Sequence, residues 1–400
     1  MRKTYQYRLM PNKTVEKKLY WIVDRCRELY NAGLSERRDA YRMAGKSISY
    51  YDQQNDLPEI KAEIREEYQE IAAHVLQDVL QRLNKAFQRF FDRVKNGQTP
   101  GYPRFQGRNR YDSFTYPDGA GWKLQTESGS KRAYLKLTKM GTIRVKLHRP
   151  LIGTVKTVTI KREGERWYVC FSCEMEKPEP LSVSYEDVGI DLGVTHFAAL
   201  STGECIDNPR HYRKGEKKLK KLQASLSQKK RGSHRRARAV KRVAKAHRKV
   251  RNQRQDFAHK ASRQLVNRFQ VIVFEDLRAA NLVKRSQPKQ DEETGHYLPN
   301  GAASKAGLNK SIADAGWSQF VEMCSYKAAW AGRILLKVSP KYTSQICPNC
   351  GAVRKKTLEE RWHSCECGCE LDRDTASAKV ILDVGHKTLL GGTRPTRATA

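Results

Sequence analysis

Residues 188–200 read VGIDLGVTHFAAL, an apolar run broken by a single acid, Asp191. Such a run predicts a buried strand, and Ser201–Gly203 after it predicts a hairpin turn. An ionised carboxylate inside a buried strand costs several kcal/mol unless a cation faces it. Taken alone, Asp191 is explained as well by a capped turn or an Arg or Lys neighbour as by a metal. The run VIVF at 271–274 also reads as a strand covered on both faces, and it ends on Glu275–Asp276. Strand carboxyl ends are where ligands gather in open α/β sheets, so Glu275 is a second candidate and Asp276 its competitor. A third acid, Asp374, ends Asp372–Arg373–Asp374, just before the helical periodicity of TASAKVIL. On its own it reads as a helix cap. If the two strands are neighbours and the helix packs beside them, the three acids form an oxygen cluster suited to two Mg²⁺ ions.

Working outward, KPEPLSVS at 177–184 is a Pro/Ser linker, and upstream of it the period is two. TIRVKL (142–147), VKTVTIK (155–161) and RWYVCFSCE (166–174) alternate as half-buried strands, as does the opening MRKTYQYRLMPNK. Between them, residues 12–97 carry helical spacing through Leu19, Ile22, Cys26 and Leu29, then Val75, Val79, Leu83 and Phe87. Downstream, residues 213–254 hold 19 Lys/Arg against one Glu on two predicted amphipathic helices. Residues 286–306 lose periodicity and read as a long loop; a helix near Ile312–Trp330 and a strand at 334–340 follow. The tail from 389 to 400 lacks the apolar content to fold.

The whole chain of 400 residues carries a formal charge of +34. A surface so cationic repels itself unless a polyanion accompanies it, which points to nucleic acid. No apolar run is long enough to span a bilayer, and the opening residues lack a signal peptide's apolar core, so a cytoplasmic protein without a membrane partner is expected. Of ten cysteines, five lie within residues 347–369. Cys347-Pro-Asn-Cys350-Gly351 is a zinc knuckle, its thiolates two residues apart and its glycine permitting the turn behind them. In Cys365-Glu-Cys367-Gly-Cys369 the Cys367–Gly368 step repeats that pattern. Cys347, Cys350, Cys365 and Cys367 are therefore expected to bind one structural Zn²⁺, with Cys369 spare and His363 on the surface.

GIDLGVTHFAALS, VIVFEDL, GLNKSIADAGWSQF and YTSQICPNCG, followed by CECG and DRD, resemble in this order the C-terminal half of TnpB nucleases, and are similar to compact type V CRISPR effectors. YRLMPNK, YNAGLSERR, GYPRFQGRNRYDSFTYP and IRVKLHRPL resemble the TnpB N-terminal half. The resemblance implies an α+β multidomain chain. A β-barrel wedge domain (1–11 and 98–183) would carry a helical recognition insert (12–97). An RNase H-like RuvC nuclease domain (184–345 and 371–388) would follow, interrupted by a zinc ribbon at 346–370. It implies metal-binding catalytic roles for Asp191, Glu275 and Asp374, and a guide RNA and target double-stranded DNA as partners; one chain per RNA is expected, with a dimer left open. One departure stands out: the family's Asn two residues after DRD is Ala376 here, which removes a supporting hydrogen bond.

Arg104, Arg108, Arg110 and Tyr111, with Arg235, Arg236, Arg238, Lys241, Arg242, Lys245, Arg248 and Arg251, are candidate nucleic-acid contacts through phosphate neutralisation and stacking. Three other readings remain: an RNA-guided binder that does not cut, a transposase-associated nuclease that reads DNA itself, and a zinc-ribbon regulator. The first has no use for three retained acids, and the second needs a major-groove reader.

Overall fold

The computed structural model describes residues 1–391 except 109, 118, 127–131 and 358. Of the tail expected to be unfolded, 392–400 lie outside the described residues, whereas Leu389 and Leu390 end a helix. The chain divides into two compact units, Met1–Lys177 and Pro178–Ala400.

In the first unit, β1 (Arg2–Met10) turns Tyr5, Tyr7 and Leu9 inward, as its alternation predicts. Asn12 then caps α1 (Lys13–Ala44) by accepting the N–H of Val15. α2 (Tyr50–Asn55), α3 (Leu57–Glu59) and α4 (Ala73–Lys95) complete the helical segment. β2 (Ser113–Tyr116), β3 (Trp122–Thr126), β4 (Arg132–Leu137), β5 (Gly141–Lys146), β6 (Thr154–Glu163) and β7 (Arg166–Glu174) join β1 in one antiparallel sheet, ordered β2-β6-β7-β1-β5-β4-β3. Leu19 and Ile22 of α1, Val79 and Leu83 of α4, and Phe114, Val169 and Phe171 of the sheet share one core. Among the described residues no ladder joins the edge strands β2 and β3.

The second unit runs β8 (Asp187–Asp191), β9 (His196–Leu200), β10 (Cys205–Asp207), α5 (His211–Ser227), α6 (His234–Arg268), β11 (Val271–Glu275), α7 (Ala279–Leu282), β12 (Lys289–Gln290), β13 (Tyr297–Leu298), α8 (Ala302–Ala315), α9 (Trp317–Ala331), β14 (Ile334–Val338), β15 (Trp362–Ser364), β16 (Glu370–Asp372) and α10 (Arg373–Leu390). Its main sheet is ordered β10-β9-β8-β11-β14. The first three strands are antiparallel, and β11 and β14 run parallel to β8. Three expectations change. Residues 188–200 are two strands, β8 and β9, folded back after Gly193, whose N–H reaches the Phe197 carbonyl at 3.3 Å. The helix expected near 312–330 is two, because Gly316 at φ 68° ends α8 and begins α9. The expected loop 286–306 holds the β12–β13 hairpin and the first turn of α8.

Strand side chains alternate between faces. Val188, Ile190, Ile272 and Phe274 pack with Ala261 and Leu265 of α6 and Phe320 and Cys324 of α9. Val271, Val273, Leu336 and Val338 pack on the other face with Ile381 of α10. By the same parity Gly189, Asp191 and Glu275 belong to the α10 face. The helix lies almost on the strand: a Cβ at Gly189 would stand 2.0 Å from the Ala378 carbonyl oxygen. At the far end His386 Nε2 meets Asp187 Oδ2 at 2.8 Å. α10 therefore runs antiparallel to β8, with its N-terminus beside the strand's carboxyl end.

Candidate functional site

That packing brings the three acids together. β8 and β11 pair in parallel register, Ile190 opposite Phe274, so Asp191 and Glu275 end neighbouring strands on one face. Asp374 stands in the first turn of α10, above the end of β8. Burial first, and then the carboxylates of Glu275 and Asp374, push Asp191 up to about 7, with Arg373 pulling the other way. Burial also raises Glu275, against a hydrogen bond donated by the Thr343 hydroxyl. Asp276 falls on the opposite parity and is exposed. The cap of α10 is Asp372, which accepts the N–H groups of Asp374 at 2.9 Å and Thr375 at 3.2 Å. Asp374 is thus relieved of the capping role that an isolated reading assigns it. Ala376, at the departure from the family pattern, is buried in α10.

Carboxylates brought together, with two of them, Asp191 and Glu275, desolvated, are a donor set for hard divalent cations.

In the ribbon, Sγ of Cys347, Cys350, Cys365 and Cys367 all lie within 4.8 Å of one another. Cys347 and Cys367 are 3.7 Å apart, and Cys350 and Cys365 3.6 Å. A tetrahedral zinc with Zn–S of about 2.3 Å sets its sulfurs about 3.8 Å apart, so the four fit one ion. The Gly351 N–H closes the first knuckle on the Cys347 carbonyl at 3.0 Å, and the Gly368 N–H closes the second on that of Cys365 at 2.9 Å. Both glycines have positive φ, which the turns require. Crowded thiols share charge unevenly: burial opposes ionisation of Cys347, but N–H groups of Cys350 and Asn349 bring it down to about 5. Cys350 is pushed up to about 12 by Cys365 and Cys367, against the Ala352 N–H.

His363 corrects the sequence reading. The β15–β16 hairpin turns it inward at 1% exposure, between exposed Trp362 and Ser364, and its ring reaches the cysteines.

Of the basic candidates, Arg104, Arg108 and Arg110 are exposed in the first unit. Tyr111 is not available for stacking: it is buried against Tyr30 and the Arg82 guanidinium, and burial drives its phenol pKa far up. The exposed rings beside these arginines are Tyr102 and Phe105, the latter under Arg38 at 5.2 Å. In the second unit Arg235, Arg238 and Arg242 line a groove with Leu222, Ser225, Lys229 and Ala239. Lys241, Lys245 and Arg251 are exposed and Arg248 is half-buried. Arg236 serves the fold instead, donating to the Leu226 and Lys229 carbonyls at the end of α5. Sequence reasoning also missed Thr343, Arg373 and Gly189. Arg373 donates to the Glu360 carbonyl at 3.0 Å and the Thr357 carbonyl at 3.3 Å, tying α10 to the ribbon.

Residues 170–286 match the family described as "Probable transposase", 317–381 a "Cas12f1-like, TNB domain" and 1–46 a "Helix-turn-helix domain". The last span here is one strand and one unbroken helix, α1, without a turn between two helices. "Putative RNA-guided DNA endonuclease InsQ" of Escherichia coli (strain K12) is 30% identical over 97% of this chain and 93% of its own. A Streptomyces pristinaespiralis protein of the same description is 31% identical over 100% of this chain and 94% of its own. Among solved structures, the mini-RNA-guided endonuclease CRISPR-Cas_phi3 superposes with a TM-score of 0.52 at 9% identity, covering 100% of this chain and 94% of that one, a likeness of fold. Among the described residues no helix is long and apolar enough to cross a membrane. With two relatives at 30% identity or better over nearly their full lengths, this chain belongs to the TnpB family.

Proposed function

We propose that this chain is an RNA-guided DNA endonuclease whose nuclease centre is Asp191, Glu275 and Asp374, a metal-dependent phosphodiester hydrolase. The observation that carries the reading is the meeting of two registered strand ends and one helix start, with Asp372 taking the capping role. A sheet of order 3-2-1-4-5, three strands antiparallel and two parallel to the first, supports an RNase H-like reading of the second unit. Two Mg²⁺ ions held by the three carboxylates would activate a water and stabilise the leaving oxygen of the phosphodiester. The chain's own part is to hold the acids together and to keep Asp191 poised near neutrality, its proton displaced when a cation binds. Thr343 fixes the Glu275 carboxylate from the segment leading into the ribbon.

Cys347, Cys350, Cys365 and Cys367 would hold one structural zinc. A guide RNA delivers sequence specificity by base pairing, and the cationic faces with Arg104, Arg108, Arg110, Arg235, Arg238 and Arg242 grip its backbone and the target duplex. On this reading the first unit is the wedge with its helical recognition insert and the second the nuclease domain interrupted by the ribbon, one chain per RNA. Incubating target plasmid with and without guide RNA and Mg²⁺ tests the reading. Cutting only when both are present is expected; cutting without RNA, or none with both, overturns it.

A further inference from the structure

We infer that Cys347, His363 and Cys369 form a second ligand set, overlapping the first at Cys347, into which the ribbon's metal settles when the Cys365–Cys367 arm is lost. The inference rests on the zinc reading above. A ring nitrogen of His363 and the sulfurs of Cys347 and Cys369 lie within 4.8 Å of one another. Independently, His363 is 1% exposed, its Nδ1 meets Lys356, and its Nε2 is buried with no partner other than the neighbouring Cys347 sulfur. A buried imidazole nitrogen that faces two sulfurs is in surroundings that favour a metal bond, since imidazole and thiolate both suit zinc.

The two sets differ in shelter. Cys350 and Cys367 are exposed, whereas Cys347 and His363 are buried and Cys369 is half-buried. Cys369 is also held in place, its carbonyl accepting the Cys365 N–H at 3.1 Å across the same turn that carries Cys367. An ion passing between the sets keeps its bond to Cys347, trades thiolates of the exposed arm for Cys369 and His363, and leaves Cys350 or water as the fourth donor. Ligation through Nε2 places the ring proton on Nδ1, so the Lys356 ammonium swings off it, a movement of one flexible side chain. Cys369 is then a reserve ligand, silent while the four-thiolate set is intact.

The test uses the full chain, with zinc counted by metal analysis and the ligand type read from the absorption of the cobalt-substituted protein. Wild type is expected to hold one zinc, as are Cys369→Ser and His363→Ala. The double variant Cys365→Ser/Cys367→Ser is expected to keep close to one zinc, released to a chelator at least tenfold more readily, with weaker thiolate-to-cobalt absorption. Adding His363→Ala to it should bring zinc below a tenth of an ion per chain. If the double variant does not fold, each single serine variant with and without His363→Ala gives the same reading from its cobalt spectrum. A folded double variant without zinc overturns the second set while leaving the first intact, as does one whose zinc and spectrum ignore His363→Ala. Wild type without zinc overturns the four-thiolate reading and the inference with it.

Discussion

The Asp372 carboxylate accepts the backbone N–H of Asp374 at 2.9 Å, so of two acids a residue apart one caps the helix and the other is left to act. Asp374→Ala should nearly abolish DNA cutting while leaving RNA binding and target-duplex binding unchanged. Asp372→Ala should lose about 1 kcal/mol of stability, the usual worth of a cap, and keep substantial cutting. Parallel cleavage assays and thermal melts read both. A folded but inactive Asp372→Ala beside an active Asp374→Ala would move the assignment two residues upstream.

Gly189 gives a test of packing apart from chemistry. A methyl group there would stand 2.0 Å from the Ala378 carbonyl and 2.6 Å from the Leu382 amide nitrogen, so α10 must move off the strand and take Asp374 with it. Gly189→Ala should cost about 1–3 kcal/mol or more and cut far more slowly than its folded fraction accounts for. Urea denaturation and single-turnover cleavage measure the two effects. Wild-type rate per folded molecule would contradict the placement.

Asp191 predicts a pH dependence. Its folded value is raised to about 7 from an ordinary 3.8, so in metal-free protein the proton binds the folded state more tightly than the unfolded one. That contribution is complete below about pH 4 and is lost as pH rises to 7, on the order of a few kcal/mol. Denaturation in EDTA from pH 4 to 8 should show a steeper decline in wild type than in Asp191→Asn, where Glu275 alone of the pair stays raised, with saturating Mg²⁺ opposing it above pH 7. Identical pH profiles for the two proteins would remove the desolvated acid from the argument.

Guide-RNA binding should weaken steeply with salt, by about 0.7 logarithmic units per contact for single strands. Reversing Arg235, Arg238 and Arg242 together should flatten that slope by about two units. Reversing Arg236 should instead lower stability, because its guanidinium is spent on the Leu226 and Lys229 carbonyls. Filter binding across a salt series, with melting curves, separates the two. An unchanged slope in the triple variant means the groove faces solvent.

What the sequence made legible follows from how local each signal is. β11 was readable because an uninterrupted apolar run matches a strand buried on both faces, and α5 and α6 because their apolar spacing persists through dense charge. β2 and β3, four and five residues long, are too short for alternation to register. The knuckle cysteines declare themselves by spacing, whereas the inward turn of His363 depends on the pairing of β15 with β16. Tyr111 looked like a stacking ring because it follows three arginines, yet its position is decided by α1 and α4, far away in sequence. Thr343 and Arg373 carry no signal of their own type; their partners are an acid on β11 and two carbonyls of the ribbon.

Asp372, Arg373 and Asp374 are consecutive, and between them they end the ribbon's last strand, bind its Thr357 and Glu360 carbonyls and open the helix that carries an acid. Each helical residue advances about 100° around its axis, so the angular position of Asp374 is clocked by the residues that seat α10 on β8, Ala378 at Gly189 and His386 at Asp187. One residue inserted between Thr375 and Ala378 would turn the carboxylate about a quarter of a revolution away from Asp191, with every side chain of the centre still present. In this chain the number of residues between Asp374 and the close contact at Gly189 is as much a part of the nuclease centre as the acids themselves.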